Sequence, residues 1–203
     1  MELPLSIKTS EFIEQYRSKI NAGLSSIDPR IFKHIVKIIV DALESRHTIF
    51  VAGNGGSSAI AEHFTCDHSK GTATNTTFAP KFVNLTSNVS LLTAYANDVG
   101  YEHALSEQLI LHADKNDVLI VISSSGNSMN IINAINVARG LGLTTVALVG
   151  FDGGLVKSLA DYCIHIPIDS YGIAEDCHQS VMHMLSHYIR TVYTNQDINT
   201  VRL

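Results

Sequence analysis

The chain contains five short apolar runs, several of them rich in Val and Ile, in which polar residues rarely alternate with apolar ones. The runs are Thr48–Ala52, Phe82–Thr86, Val118–Ile122, Thr144–Val149 and Cys163–Ile168. Strands that are buried on both faces need this pattern, and such strands are typical of parallel sheets. A chain with these runs is therefore expected to place helices on both faces of its sheet.

Stretches with helical spacing separate the apolar runs, at roughly 57–68, 89–96, 128–139 and 174–194. Strand alternating with helix predicts an α/β fold with a parallel sheet wrapped on both sides.

The residues before the first strand are also predicted to be helical. Asp28 followed by Pro29 is typical of a helix start, and apolar residues then recur at helical spacing to about Ser45. Phe12, Tyr16 and Ile20 indicate a weaker helix before that one. No internal repeat or linker is visible, so we expect a single domain over 1–203, of which 1–46 is a helical N-terminal extension.

Composition excludes several classes of protein. Of the 203 residues 45% are hydrophobic and 16% are charged, and the formal net charge is −5, which argues against disorder and against a nucleic-acid partner. No apolar run approaches the ~18 residues of a membrane span, and the start MELPLSIKTSEF lacks a signal-peptide core. The three cysteines show no metal-binding spacing. We expect a soluble, cytoplasmic protein that binds a small molecule.

Two loops rich in Gly and Ser follow predicted strands. The first is Gly53-Asn54-Gly55-Gly56-Ser57-Ser58, and the second is Ser123-Ser124-Ser125-Gly126-Asn127-Ser128. Glycines let a backbone approach an anion, and hydroxyls and helix-start N–H groups donate hydrogen bonds to its oxygens. Neither loop contains Lys or Arg, so we expect neutral donors to bind a terminal phosphate here. A single loop of this kind could equally be a strand-to-helix connection with Ser as the N-cap.

Two common nucleotide sites do not fit these loops. A dinucleotide fingerprint needs a third glycine where this chain has Ser58, and an acidic residue where it has Asn84-Leu85-Thr86. A P-loop needs Gly-Lys followed by Ser or Thr, which neither loop has.

Several motifs together resemble the phosphoheptose isomerases of the sugar-isomerase (SIS) domain family, in unbroken order over roughly residues 30 to 195. They are Gly53 to Ser57, Glu62-His63-Phe64, Asn97-Asp98-Val99-Gly100, Ser123 to Ser128, Gly150-Phe151-Asp152-Gly153-Gly154, and a C-terminal helix that carries His.

The resemblance implies a five-stranded parallel sheet in a flavodoxin-like three-layer sandwich, and a homotetramer with sites built from more than one subunit. It also implies conversion of sedoheptulose 7-phosphate to D-glycero-D-manno-heptopyranose 7-phosphate. That reaction is the first step toward the nucleotide-activated heptose of bacterial surface polysaccharide.

Residue by residue, the resemblance implies a set of substrate contacts. These are Asn54, Gly55, Ser57, Asp98, Ser123, Ser124, Ser125, Ser128 and Glu175.

An acid/base pair follows from the reaction, because moving a proton between neighbouring carbons through an enediol needs two proton-transfer groups. The resemblance assigns them to Asp67 and His183. Relatives carry Glu where this chain has Asp67, and Asp is shorter by one methylene. Alternatively, Asp67 is a solvated helix carboxylate near Lys70.

A divalent metal is also implied. His63 and Asp67 stand four residues apart on one helix face, a spacing suited to a metal. The resemblance adds Glu175 and His183 as ligands and zinc as the ion, with Glu175 standing where relatives carry Gln. Zinc would stabilise enediolate charge as a Lewis acid.

Two alternative functions remain open. One is a non-catalytic SIS module that binds a sugar phosphate or another protein. The other is an SIS isomerase of a different phosphosugar, such as a hexulose or pentulose phosphate.

Overall fold

The computed structural model describes residues 8–194, and they form a five-stranded parallel sheet between two layers of helices. The strands are β1 Thr48–Gly53, β2 Lys81–Asn84, β3 Val118–Ser123, β4 Thr144–Val149 and β5 Tyr162–His165. The helices are α1 Thr9–Ser25, α2 Pro29–Ser45, α3 Gly56–Ala73, α4 Val89–Asp98, α5 Ser106–His112, α6 Met129–Leu141, α7 Gly154–Leu159 and α8 Tyr171–Thr194. A short 3₁₀ helix spans Tyr101–His103.

The strand order is β2-β1-β3-β4-β5, so the chain reverses its direction of winding between β1 and β3. Successive residues of a strand point to opposite faces, and each face of this sheet has its own apolar core. Ile49 and Val51 of β1 pack with α2, α3 and α8, whereas Phe50 and Ala52 pack with α5, α6 and α7. This arrangement confirms the predicted three-layer α/β fold.

Helix α2 begins and ends as its sequence predicts. Asp28 caps it by accepting a hydrogen bond from the backbone N–H of Arg30 at 2.8 Å. The helix ends at Ser45, and Arg46 takes a left-handed conformation with φ 59°. Its buried residues Ile35 and Ile39 belong to the core beside β1. The helix is therefore a core layer as well as part of the N-terminal extension.

The predicted and observed elements differ mainly at their ends. β2 stops at Asn84 because the Asn84 side chain accepts hydrogen bonds from the backbone N–H and the hydroxyl of Thr86, which forms a turn. β5 stops at His165, two residues before Pro167, which has no N–H to donate. The sequence pattern missed the short helices α5 and α7, of seven and six residues. Residues 1–7 of the predicted N-terminal extension, and residues 195–203, lie outside the described part of the chain.

Within residues 8–194, no helix combines the length and the apolar character that a bilayer crossing requires.

Candidate active site

The two Gly/Ser-rich loops meet at the reversal point of the sheet. One follows β1 and leads into α3, and the other follows β3 and leads into α6. In open α/β sheets, loops at the carboxyl ends of strands form ligand sites at such a point, because helix N-termini converge there. The observed topology thus brings together the two loops that the sequence singled out.

A small polar cavity of about 120 Å³ lies between these loops and the start of α8. We call it the phosphate cradle. Its lining residues are Asn54, Ser57, Ile122, Ser123, Ser124, Ser125, Ser128, Tyr171 and Glu175. Among residues 8–194, no Lys or Arg lines it.

The hydroxyls of the cradle differ in the hydrogen bonds that they form within the protein. Ser123 accepts a hydrogen bond from the backbone N–H of Gly126 at 3.2 Å, and Ser125 accepts one from Asn127 at 3.3 Å. Ser124 is 4% exposed, and its hydroxyl has no partner among the described residues. Ser128 is the N-cap residue of α6, yet its side chain makes no capping hydrogen bond. All four hydroxyls therefore keep their O–H groups for a bound molecule, and those of Ser124 and Ser128 are engaged in no hydrogen bond among the described residues.

A third loop, Gly150 to Gly154, packs against the second Gly/Ser-rich loop, Ser123 to Ser128, which we call the serine loop. The N–H of Gly150 donates to the carbonyl of Ser124 at 2.9 Å, and the N–H of Val156 donates to that of Gly126 at 3.0 Å. A Cβ added to Gly126 would overlap the carbonyl of Gly153, so the two loops touch backbone to backbone. Through this contact, the Gly-Phe-Asp-Gly-Gly segment fixes the position of the serine loop.

Glu175 brings a carboxylate to the otherwise neutral cradle. A Cβ at Gly56 would lie 2.5 Å from both carboxylate oxygens of Glu175, so the absence of a side chain at Gly56 makes room for this residue. Burial and, to a smaller extent, the neighbouring Asp176 raise the pKa of Glu175. The raised pKa lowers the cost of protonating Glu175 when an anionic ligand binds beside it.

A second group of side chains lies on the facing surfaces of α3 and α8. The Oδ2 atom of Asp67 is 3.3 Å from Nε2 of His63 and 3.4 Å from Nε2 of His183. The two imidazole rings meet nearly edge to face, with centroids 5.0 Å apart. We call His63, Asp67 and His183 the His/Asp triad. It opens into a cavity of about 460 Å³, which Cys66, Lys70 and His187 also line.

The donor set of the triad fits zinc. One ligand atom from each of the three side chains lies within 4.8 Å of the others. In a tetrahedral zinc site with bonds of about 2.0–2.1 Å, neighbouring ligand atoms are about 3.3–3.4 Å apart. The distances from Asp67 to the two histidines match that spacing. Imidazole nitrogen and carboxylate oxygen are also ligands that zinc accepts.

The electrostatics of His183 favour its neutral form. Burial lowers the pKa of His183, Asp67 opposes this change, and His63 and His187 add to it. A neutral imidazole can accept a proton or bind a metal.

The structure gathers some predicted site residues and not others. Asn54, Ser57 and Glu175 join the four predicted serines around the cradle, and Asp67 and His63 join His183 in the triad. Glu175 is not part of the triad among the described residues. Gly55 is exposed at the start of α3 with φ 55°, and it does not line the cradle. Asp98 ends α4, is exposed, and accepts a hydrogen bond from the Asn97 side chain at 2.8 Å.

Gln179 is a site residue that the sequence analysis missed. Its amide nitrogen is 2.8 Å from Nδ1 of His63 and 3.4 Å from Nε2 of His183. Gln179 stands four residues before His183, so the spacing that placed His63 beside Asp67 could also have identified it.

Comparisons with known proteins show the family to which the chain belongs. The SIS domain family model matches residues 12–150. The chain is 32% identical to the phosphoheptose isomerase of Helicobacter pylori (strain P12), over 90% of this chain and 94% of that protein. It is 39% identical to that of Aliarcobacter butzleri (strain RM4018), over 75% of this chain and 80% of that one.

Two solved structures have a fold similar to that of this chain. A phosphoheptose isomerase from Francisella tularensis superimposes with a TM-score of 0.81 at 27% identity, covering 91% of this chain and 100% of that chain. One from Neisseria gonorrhoeae gives 0.80 at 28% identity, covering 90% and 98%. With a family model over most of its length and relatives above 30% identity, the chain belongs to the SIS domain family and, within it, to the phosphoheptose isomerases.

Proposed function

We propose that this protein isomerises sedoheptulose 7-phosphate to D-glycero-D-manno-heptopyranose 7-phosphate through an enediol, with Asp67 and His183 as the acid/base pair. One observation carries this proposal: the Asp67 carboxylate lies 3.4 Å from Nε2 of His183, in a cavity large enough for a sugar. A carboxylate and an imidazole at that distance can share the proton transfers of an aldose–ketose isomerisation.

The phosphate group belongs in the cradle. Ser123, Ser124, Ser125 and Ser128 surround a space that has hydroxyl donors and the N-terminus of α6, where the helix dipole favours an anion. Asn54 and Ser57 add donors from the first loop. The unpartnered hydroxyl of Ser124 supports this assignment, because a buried polar group without a partner is uncommon unless a ligand satisfies it.

The two proton-transfer groups have separate tasks. We assign to Asp67 the removal of the carbon-bound proton next to the ketose carbonyl, which leaves the enediolate. His183 then moves protons between the two neighbouring oxygens, for which its neutral form is needed first. Return of the proton to the former carbonyl carbon gives the aldose, which closes to the pyranose.

Zinc is part of the proposal as the ion that the His/Asp triad would hold. When bound, it supplies Lewis-acid stabilisation of negative charge on the sugar oxygens. His63 has one ring nitrogen near Asp67 and the other near the Gln179 amide, so Gln179 can fix the orientation of this ring. Glu175 remains a candidate ligand only if a neighbouring subunit supplies it.

A homotetramer whose sites combine residues of different subunits is also proposed. Glu175 and His183 are eight residues apart on α8, about 12 Å along its axis, so the cradle and the triad of one protomer are separate. Exposed apolar side chains on the same helix support burial against another copy: Met184, Tyr188, Val192 and Tyr193. We further propose a single domain over 1–203, a cytoplasmic location, and a role as first step toward nucleotide-activated heptose.

Turnover is the direct test. The protein, stripped of metal and then assayed with and without zinc, is incubated with sedoheptulose 7-phosphate while aldose formation is followed. The variant Asp67→Asn keeps the size of the side chain and removes its basicity, so kcat is expected to fall about 10²–10⁴-fold. Glu44→Gln, at an exposed position on α2 that lines neither cavity, is the matched control and should keep the wild-type kcat.

The other functions predict other outcomes. A higher kcat/KM with a six- or five-carbon ketose phosphate would identify a different phosphosugar as substrate. Absence of product with and without zinc, together with sugar-phosphate binding that Asp67→Asn leaves unaltered, would identify a binding module and contradict the proposal.

A further inference from the structure

The side-chain amide of Asn54 is held in one orientation by two residues outside the cradle. We infer that Asn130 and Tyr101 are positioning residues that present the N–H end of Asn54 to the phosphate. This inference rests on the proposed function, because it concerns the same phosphate cradle.

Asn130 and Asn54 form a reciprocal amide pair. Nδ2 of Asn54 donates to Oδ1 of Asn130 at 2.8 Å, and Nδ2 of Asn130 donates to Oδ1 of Asn54 at 2.9 Å. Asn130 is the second residue of α6 and is only 2% exposed. Two parallel hydrogen bonds fix the plane of an amide as well as its distance, so Asn54 cannot rotate without breaking both.

The backbone of α6 determines the orientation of the Asn54 and Asn130 side-chain amides. The N–H of Ile131 lies 3.0 Å from Oδ1 of Asn130, and a backbone N–H can only donate. The oxygen of the Asn130 amide must therefore occupy that position, and the nitrogen of Asn54 must face the same oxygen. Oδ1 of Asn54 is then left to accept from Asn130 and from the Tyr101 hydroxyl, which lies 2.8 Å away.

This polarity suits an anionic ligand. An amide nitrogen carries two hydrogens, and Asn130 takes one of those on Asn54. The second remains for an oxygen of a molecule in the cradle, which Asn54 lines. If the amide were flipped, its carbonyl oxygen could turn toward the phosphate and repel it. Asn130, oriented by the N–H of Ile131, excludes that arrangement, and the Tyr101 hydroxyl adds a second donor to Oδ1 of Asn54; neither side chain lines the cradle.

The same contacts join three segments of the chain. Asn54 belongs to the loop after β1, Asn130 to the start of α6, and Tyr101 to the 3₁₀ helix that follows Asn97-Asp98. The amide pair therefore also fixes the first loop relative to the serine loop.

A double-mutant cycle tests the inference. Asn130→Asp keeps an acceptor for Ile131 but cannot donate to Asn54, and Tyr101→Phe removes only the hydroxyl. The dissociation constant of inorganic phosphate, measured by calorimetry, should rise about ten-fold for Asn130→Asp and about three- to ten-fold for Tyr101→Phe. KM for sedoheptulose 7-phosphate should rise in parallel, with kcat within about two-fold of wild type.

The cycle separates positioning from a charge effect. In an Asn54→Ala background, Tyr101→Phe should change phosphate binding by less than about two-fold, because the residue it acts through is gone. Any loss that Asn130→Asp still causes in that background measures the effect of its new charge, and the remainder measures positioning. Asn136→Asp introduces the same charge at an exposed position on α6 and should leave phosphate binding as in wild type. Thermal melting of every variant checks that it is folded, and Tyr101→Phe carries the test if Asn130→Asp does not fold.

Two results would overturn the inference. Neither of them is the result that would overturn the proposed function. Effects that persist fully in the Asn54→Ala background would mean that Asn130 and Tyr101 act independently of Asn54. Lowered kcat at unchanged KM and phosphate affinity would equally contradict a positioning role at the cradle. A wild-type protein that binds neither phosphate nor the sugar phosphate would overturn the proposed function as well.

Discussion

The hydroxyl of Ser124 is buried at the end of β3, and no described residue forms a hydrogen bond with it. Burial of a polar group without a partner costs free energy in the folded protein, whereas a hydrogen bond to a charged ligand recovers more than that cost. The side chain therefore favours the ligand-bound protein at the expense of the free one.

Replacement of this hydroxyl should separate stability from binding. For Ser124→Ala we expect an unchanged or slightly higher Tm, and a KM for sedoheptulose 7-phosphate that rises about 10- to 100-fold, because a hydrogen bond to a charged group contributes about 1.5–3 kcal/mol. Calorimetric melting and steady-state kinetics measure the two quantities. Ser180→Ala is the control, since Ser180 donates only to a carbonyl of its own helix, and it should keep the wild-type KM. A Ser124→Ala protein with wild-type KM would remove Ser124 from the site.

The sequence predicted single residues well where a motif marked them and poorly where only folding brings them together. The cradle serines follow a strand directly, so their position at the sheet edge could be predicted. Gln179 and Asn130 carry no motif of their own. Each acts through contacts with residues more than 70 positions away, such as the pairs of Gln179 with His63 and Asn130 with Asn54.

At the scale of elements, the serine loop and the Gly150 to Gly154 loop touch backbone to backbone. Gly126 has φ 64°, and its Cα faces the carbonyl of Gly153. Both the backbone conformation and the space exclude a side chain there.

Adding a methyl group at this contact should force the loops apart. Gly126→Ala is expected to lower the free energy of unfolding by about 1–3 kcal/mol and to raise KM, because the serine donors move with the loop. Chemical denaturation and kinetics provide the measurements. Gly140→Ala is the matched control: it lies in α6 with no atom within 4 Å of the added methyl, and it should stabilise the protein by about 0.5–1 kcal/mol. Equal effects of the two substitutions would contradict the proposed loop contact.

Element prediction failed for physical reasons that differ between helices. α7 has only six residues and α5 seven, too few for a helical period to be distinguished from a loop. In contrast, α8 has 24 residues and began only three positions before the predicted start. Length, more than composition, decided which helices the sequence could reveal.

At the scale of the whole molecule, two buried histidines make the stability of the fold depend on pH. Burial, partly offset by the backbone of Val149, lowers the pKa of His178 to about 4, and burial lowers the pKa of His68 to about 3. Both residues are fully inaccessible to solvent. An unfolded chain would bind protons at these histidines near the ordinary pKa of 6.5, so acid favours unfolding.

Stability should accordingly fall as pH drops from about 6.5 toward about 4. His178 loses its contribution within this window, on the order of 3 kcal/mol, whereas for His68 the decrease continues to about pH 3. His178→Met cannot bind a proton and should show a smaller decrease of Tm between pH 7 and pH 4.5 than wild type. His112→Gln, at an exposed position, should keep the wild-type slope. An identical slope in His178→Met would refute this origin of acid sensitivity.

The overall architecture was the most predictable level, because buried parallel strands leave a strong signal in the sequence. All five predicted strands are present, and their alternate residues fill two separate cores. The role of α2 was less visible: its apolar residues predicted a helix, but not that Ile35 and Ile39 would cover the sheet beside β1.

The cradle offers hydroxyls, amides and helix ends to an anion, and no lysine or arginine of the described part of the chain lines it. Such dipolar groups act over a few ångströms, within the distance at which dissolved ions screen charges, which is about 8–10 Å near physiological salt. Capture of the sugar phosphate at this end should consequently depend on shape and short contacts, and hardly on ionic strength.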